Sequence, residues 1–236
     1  MGLDLYVGSL TRYHAGDWEL AAQQAAREMG LPIQVIRQQH DPPDVIRDPD
    51  QIRPAVLAWR ESLTTALADH LTSPLDWDER QEAPYFTDKP TWDCYSDLML
   101  WAAYDEQRQL PRPEEHIEDW SMDPAYRLNS EAEAKTRYSH LYDVCLWLPC
   151  DFGFVFKTED ICGTEMVVGS SVALLRHLQE LNARTWQVDP DALHRWRKDS
   201  ADHGSPLEVG ARFAFAVFSE LAEEATRHRL PMRLDW

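Results

Sequence analysis

The run Thr11-Arg12-Tyr13-His14-Ala15-Gly16-Asp17-Trp18-Glu19 gathers an imidazole, a guanidinium and two carboxylates in one short stretch. An imidazole titrates near neutral pH and moves protons well when an acid beside it fixes its tautomer. His14 and Asp17 as an acid-base pair, with Arg12 clamping an anionic group, therefore make a candidate catalytic site. Tyr13 and Trp18 would wall it as ligand-binding residues. The same residues have plain structural uses, because Asp is a good helix N-cap and Trp a good packing residue.

A second candidate is Gly169-Ser170-Ser171, where a strand hands over to a helix. Exposed amides at such a turn hold carboxylates or phosphates, which makes Ser170 and Ser171 candidate ligand-binding residues. The complete G-x-S-x-G turn is absent, no Lys follows the glycine as a phosphate loop requires, and helix capping accounts for both serines without a ligand. Asp151, Glu159, Asp160 and Glu165, near Lys157 and Thr158, form a third group. Paired carboxylates run hydrolysis or hold a hard cation, but the calcium-loop spacing is missing and turns are commonly acidic. The histidines form no H-E-x-x-H or H-x-H. Cys94, Cys145, Cys150 and Cys162 form no C-x-x-C, and Cys145 and Cys150 are spaced to point to opposite faces of a strand. Buried reduced thiols, no metal and no cofactor are the expectation.

A fourth group suits a partner rather than a reaction. Glu114, Glu115, Glu118, Asp119 and Trp120 lie in an acidic, Pro-containing stretch at about 110–130 that reads as a long surface loop. The chain has 10 tryptophans, too many for one core, and tryptophan at a surface is enriched at binding hot spots.

The elements that must position these residues follow from periodicity. Leu3, Leu5 and Val7 alternate with Asp4 and Tyr6, as in a strand with one buried face, and the Ala-rich stretch from Glu19 to Met29 reads as a helix ended by Gly30-Leu31-Pro32. A strand at Ile33 to Ile36 would complete a unit compatible with βαβ. Ile52, Val56, Trp59, Leu63 and Leu67 recur at helical steps, and helices are also expected over 92–107, from Val172 to beyond Leu181, over 191–198 and over 206–228. The segment 74–90 reads as a loop. Val144 to Leu148 and Phe152 to Phe156 read as two strands compatible with a hairpin, Glu165 to Val168 as a third, and Met232 to Trp236 as an edge strand. The sum is an α/β fold, with mixed α+β as the variant: a central sheet of about five strands packed by at least four helices in a single compact domain over 1–236.

The bulk numbers bound the function. With 44% hydrophobic and 27% charged residues among 236, the chain is composed like a globular protein. A net charge of -18 repels phosphate backbones and anionic lipids, so no nucleic acid and no membrane is expected as partner. The N-terminus lacks the basic and apolar regions of a signal peptide, which points to the cytoplasm. Two functions fit. One is a non-catalytic binding protein for a basic protein, as an immunity protein or antitoxin is; the other is a small-molecule enzyme built on His14, Asp17 and Arg12.

Overall fold

The computed structural model describes residues 3–32, 48–130, 135–199, 201 and 204–235. The alternation at the N-terminus forms β1 (Asp4–Val7), but all four of its residues are buried, so both faces of the strand are covered. Leu3, Leu5 and Val7 enter the main core, while Tyr6 on the opposite face packs against Tyr13, Trp18 and Tyr85. The expectation of one wet face fails because this aromatic group serves as its lid.

β1 lies in a mixed six-stranded sheet with β2 (Phe86–Asp88), β3 (Leu146–Leu148), β4 (Phe156–Glu159), β5 (Glu165–Ser170) and β6 (Met232–Asp235), in the order β2-β1-β6-β3-β5-β4. Among the described residues only β3 and β5 run parallel; the other pairs are antiparallel. Two expectations are corrected here. The C-terminal strand is not at an edge: β6 pairs with both β1 and β3. The strands after Val144 are not a hairpin either, since β3 takes β5 and β6 as neighbours and β4 pairs with β5. Phe152, Phe154 and Phe156 instead cluster with one another, so residues 152–155 spend their aromatic character on packing before pairing begins. Phe86, assigned to a loop, starts the edge strand β2. The expected strand at Ile33 to Ile36 lies outside the described residues, and both sides of β1 are already taken by antiparallel neighbours.

Eight α-helices occur among the described residues. The helix expected from Glu19 is α2 (Ala21–Glu28); a short helix not foreseen, α1 (Leu10–Ala15), precedes it. Ser9 caps α1 and Gly16, at φ 69, ends it in the left-handed region that glycine favours. The others are α3 (Pro49–Ala66), α4 (Trp92–Glu106), α5 (Pro124–Ser130), α6 (Ser171–Arg184), α7 (Pro190–Lys198) and α8 (Leu207–His228). On one face of the sheet α4, α6 and α8 meet Leu5, Val7, Trp147, Met232 and Leu234. On the other, Ile52, Val56 and Leu63 of α3 meet Leu146, Leu148, Met166 and Val168. The strand residues alternate between the two cores, which is why β3 reads as continuously apolar. The chain is thus an α/β domain with helices on both sides of one sheet. No helix among the described residues is long and apolar enough to cross a membrane.

Candidate functional site

The N-terminal run folds as α1 over the sheet, and its start is held by a residue far away in sequence. The amides of Leu10 and Thr11 donate to the two carboxylate oxygens of buried Glu79 at 3.0 and 2.8 Å, satisfying free donors of the first turn. Arg12 donates through Nη1 to Ala83 O at 2.6 Å and through Nη2 to Gln81 O, and its guanidinium lies 5.1 Å from the Tyr85 ring. These donors close the turn around residue 82 and leave a poor anion clamp. Asp17, 65% exposed, approaches Arg12 Nε at 3.9 Å. No hydrogen bond or ion pair joins it to His14, so the acid-base pair expected from the sequence is not assembled.

His14 looks elsewhere. Its Nδ1 is 3.8 Å from Cys162 Sγ, and burial, reinforced by Arg233 and opposed by Asp160, lowers its pKa to about 4. Tyr13 donates its hydroxyl to Asp235 and lies under the Arg233 guanidinium at 4.4 Å; Trp18 stacks with Tyr13 at 5.7 Å and meets the Tyr6 ring tilted at 4.9 Å. A cleft of about 340 Å³ opens beside Arg12, Asp17, Trp18, Glu19, Arg27 and Tyr85, and His14 does not line it.

Ser170 and Ser171 are fully buried. Ser170 Oγ donates to Cys150 O at 2.6 Å and accepts from Ala173 N at 3.0 Å, capping α6; Ser171 Oγ donates to Leu148 O at 3.3 Å. Their hydrogen-bonding capacity is used inside the domain. The carboxylates around β4 disperse onto separate cations: Asp151 pairs with Arg176 at 2.6 Å, Glu165 with Lys157 at 3.7 Å and Asp160 with Arg233 at 3.3 Å.

A cleft of about 500 Å³ between α4 and the end of α6 is lined by Trp101, Asp105, Arg108, Arg112, Arg184 and Trp186, among others. The indoles stack at 5.0 Å and Arg112 sits 3.6 Å over Trp101. Asp105 accepts from Arg184 at 2.5 Å, Arg108 at 2.6 Å and Tyr138 at 2.7 Å. Burial pushes this carboxyl up, but those donors outweigh it and hold it below the usual range. A carboxylate so occupied is a structural hub, not a free base.

The acidic segment is ordered rather than loose. Leu207 N donates to Glu114 O at 3.0 Å, and Ile117 packs on the core. His116 Nδ1 meets Asp97 Oδ1 at 2.8 Å with both side chains buried, and burial raises the Asp97 pKa to about 6 although His116 opposes the shift. Asp123 then caps α5 through Ala125 N at 2.8 Å and accepts from Tyr104 Oη at 2.8 Å. With its backbone and apolar side pinned, the segment presents Glu114, Glu115, Glu118 and Asp119 to solvent. Trp120, edge-on to Tyr126 at 4.8 Å, rims an apolar cleft of about 260 Å³ with Trp92, Tyr95, Met99, Val144 and Asp143. Asp143 is exposed, held by Tyr126 Oη at 2.8 Å. Sequence reasoning missed Trp92 and Asp143 as neighbours of Trp120, because a helix face and two distant loops meet only on folding.

It also missed that His14, Asp160 and Cys162 come together, with ligand atoms all within 4.8 Å of one another. The one local signal was a thiol in the tight turn after Asp160. No protein-family model, curated protein or solved structure matches the chain.

Proposed function

We propose that the protein is a non-catalytic binding protein for a basic polypeptide, of the kind an immunity protein or antitoxin offers its partner. One observation carries this reading: the aromatic cleft between Trp92 and Trp120 is lined by exposed Asp143, and exposed Glu118 and Asp119 directly precede Trp120 in a chain of net charge -18. A Lys or Arg side chain matches such a site, with its apolar stem against the indoles and its cation among the carboxylates. The surplus negative charge steers that partner in and disfavours nucleic acid. The free cysteines fit a reducing compartment such as the cytoplasm. The alternative, an enzyme using His14 and Asp17, draws less support, because Asp17 serves Arg12 and the His14 imidazole lies outside the adjoining cleft.

The test titrates the tag-free protein with a Lys- and Arg-rich peptide by calorimetry at low and moderate salt. Saturable binding at low salt that weakens steeply with added salt is expected. Trp120→Ala should cost about 2 kcal/mol, the scale of a hot-spot aromatic, or about 30-fold in Kd. Absence of saturable binding at low salt, or equal affinity in Glu118→Lys/Asp119→Lys, overturns the proposal.

A further inference from the structure

We infer that His14, Asp160 and Cys162 form a binding site for a zinc-class divalent ion, separate from the aromatic cleft. The donors are an imidazole nitrogen, a carboxylate oxygen and a thiol sulfur, the mixed set that suits a borderline ion rather than magnesium or calcium. Their ligand atoms lie within 4.8 Å of one another, and Cys162 Sγ lies 3.8 Å from His14 Nδ1. Bond lengths of about 2.1 Å to nitrogen and 2.3 Å to sulfur at a tetrahedral angle put that edge at about 3.6 Å. The Cys162–His14 edge therefore stands within a few tenths of an ångström of its length around an ion.

Both sides of the site are preformed. His14 stands on α1, whose start is pinned by Ser9 and Glu79. Asp160 and Cys162 stand on the β4–β5 turn, where Asp160 Oδ1 accepts from Cys162 N at 2.8 Å and Thr164 N at 3.0 Å, and Gly163 takes a φ of 78. Trp59 Nε1 donates to Glu159 O at 2.8 Å and fastens the turn to α3. Arg233 contacts Asp160 Oδ2 at 3.3 Å, long for a charge-assisted bond, which normally spans about 2.7–2.9 Å. It shares that oxygen without saturating it and adds a positive charge, which the carboxylate and a thiolate together outweigh. Cys162 is exposed, so an ion reaches the site from solvent and the fourth position stays open to water. Binding deprotonates the thiol and releases that proton to solvent.

The experiment adds Co²⁺ to the reduced, tag-free full chain and follows the thiolate-to-cobalt charge-transfer band and the d–d bands of four-coordinate cobalt. The expected result is one cobalt per chain, displaced by Zn²⁺. Cys162→Ser should abolish the charge-transfer band while Cys150→Ser retains it. His14→Ala should weaken binding by more than about tenfold, the lower end of what even outer-shell changes cost. Circular dichroism confirms that each variant is folded; Cys162→Ser, at an exposed position, serves as the decisive one. No charge-transfer band in the native chain, or a band that survives Cys162→Ser, overturns the site.

Discussion

Gly210 on α8 faces Asp97 on α4 so closely that a methyl group there would sit 2.1 Å from Asp97 Oδ2 and 3.0 Å from its Cγ. Gly210→Ala therefore sets two effects of opposite sign against each other. In a helix interior, alanine gains about 1 kcal/mol over glycine. Against it, Asp97 cannot swing away freely, because its side chain is 3% exposed and bonded to His116 at 2.8 Å. Overpacking costs about 1–3 kcal/mol, and a buried hydrogen bond lost with its acceptor stranded costs about 1–3 kcal/mol more. The clash wins, and the net loss is about 3 kcal/mol. At about 2–4 °C per kcal/mol for a chain of this size, the melting temperature should fall by about 6–12 °C. Thermal unfolding followed by circular dichroism and calorimetry measures this. Asp97→Ala removes the obstructing carboxylate, so the double variant should be more stable than the sum of the single losses implies, with a coupling of at least about 1 kcal/mol. A Gly210→Ala protein as stable as the parent, or a cycle without coupling, would show that α4 and α8 do not cross at this point.

Acid stability supplies a second expectation. Burial, then His177 and Arg176, lowers the His140 pKa to about 3, and burial, then Arg176, lowers His177 to about 4. Between about pH 6.5 and those values the unfolded chain binds more protons than the folded one, so stability is lost as pH falls, by about 1.4 kcal/mol per unit for fully buried His140. Asp97, raised to about 6 mainly by burial, works in the opposite direction between about pH 6 and 4, against these two histidines and His14, which burial also lowers to about 4. The denaturant midpoint should therefore drop from pH 6.5 to pH 4, and His140→Asn, which keeps an acceptor near Ser170 N, should flatten the profile. A profile equally steep in that variant would remove His140 from the account. Ser170→Ala, finally, should lower stability by about 1–2 kcal/mol through the lost α6 cap while leaving affinity for the basic peptide unchanged. A loss of affinity without a loss of stability would restore Ser170 as a ligand-binding residue.

The candidate sites divide by how local their evidence is. The capping role of Ser170 was readable, because a serine at a strand-to-helix turn meets its partner Ala173 N three residues on. The exposure of Glu114, Glu115, Glu118 and Asp119 was readable too, from charge density and prolines alone. His14 was singled out as a chemically capable side chain, but its neighbours were not legible: sequence proximity suggested Asp17, and folding delivered Cys162 and Asp160 from the far hairpin. The partners of Arg12 were hidden for the same reason, since the carbonyls of Gln81 and Ala83 that it donates to lie in a distant loop.

The sequence by itself determined what depends on near neighbours: the apolar stripe of α3, the extents of α4 and α8, the glycine stop after α2, and an α/β composition of elements. Period and capping are properties of a few consecutive residues, so they survive without knowledge of the fold. Only the tertiary structure decided that β6 lies inside the sheet, that β3 and β5 run parallel, and that Trp120 shares a cleft with Trp92. Those facts depend on which apolar faces find each other across long separations in the chain, and strand alternation looks the same at an edge as in the centre.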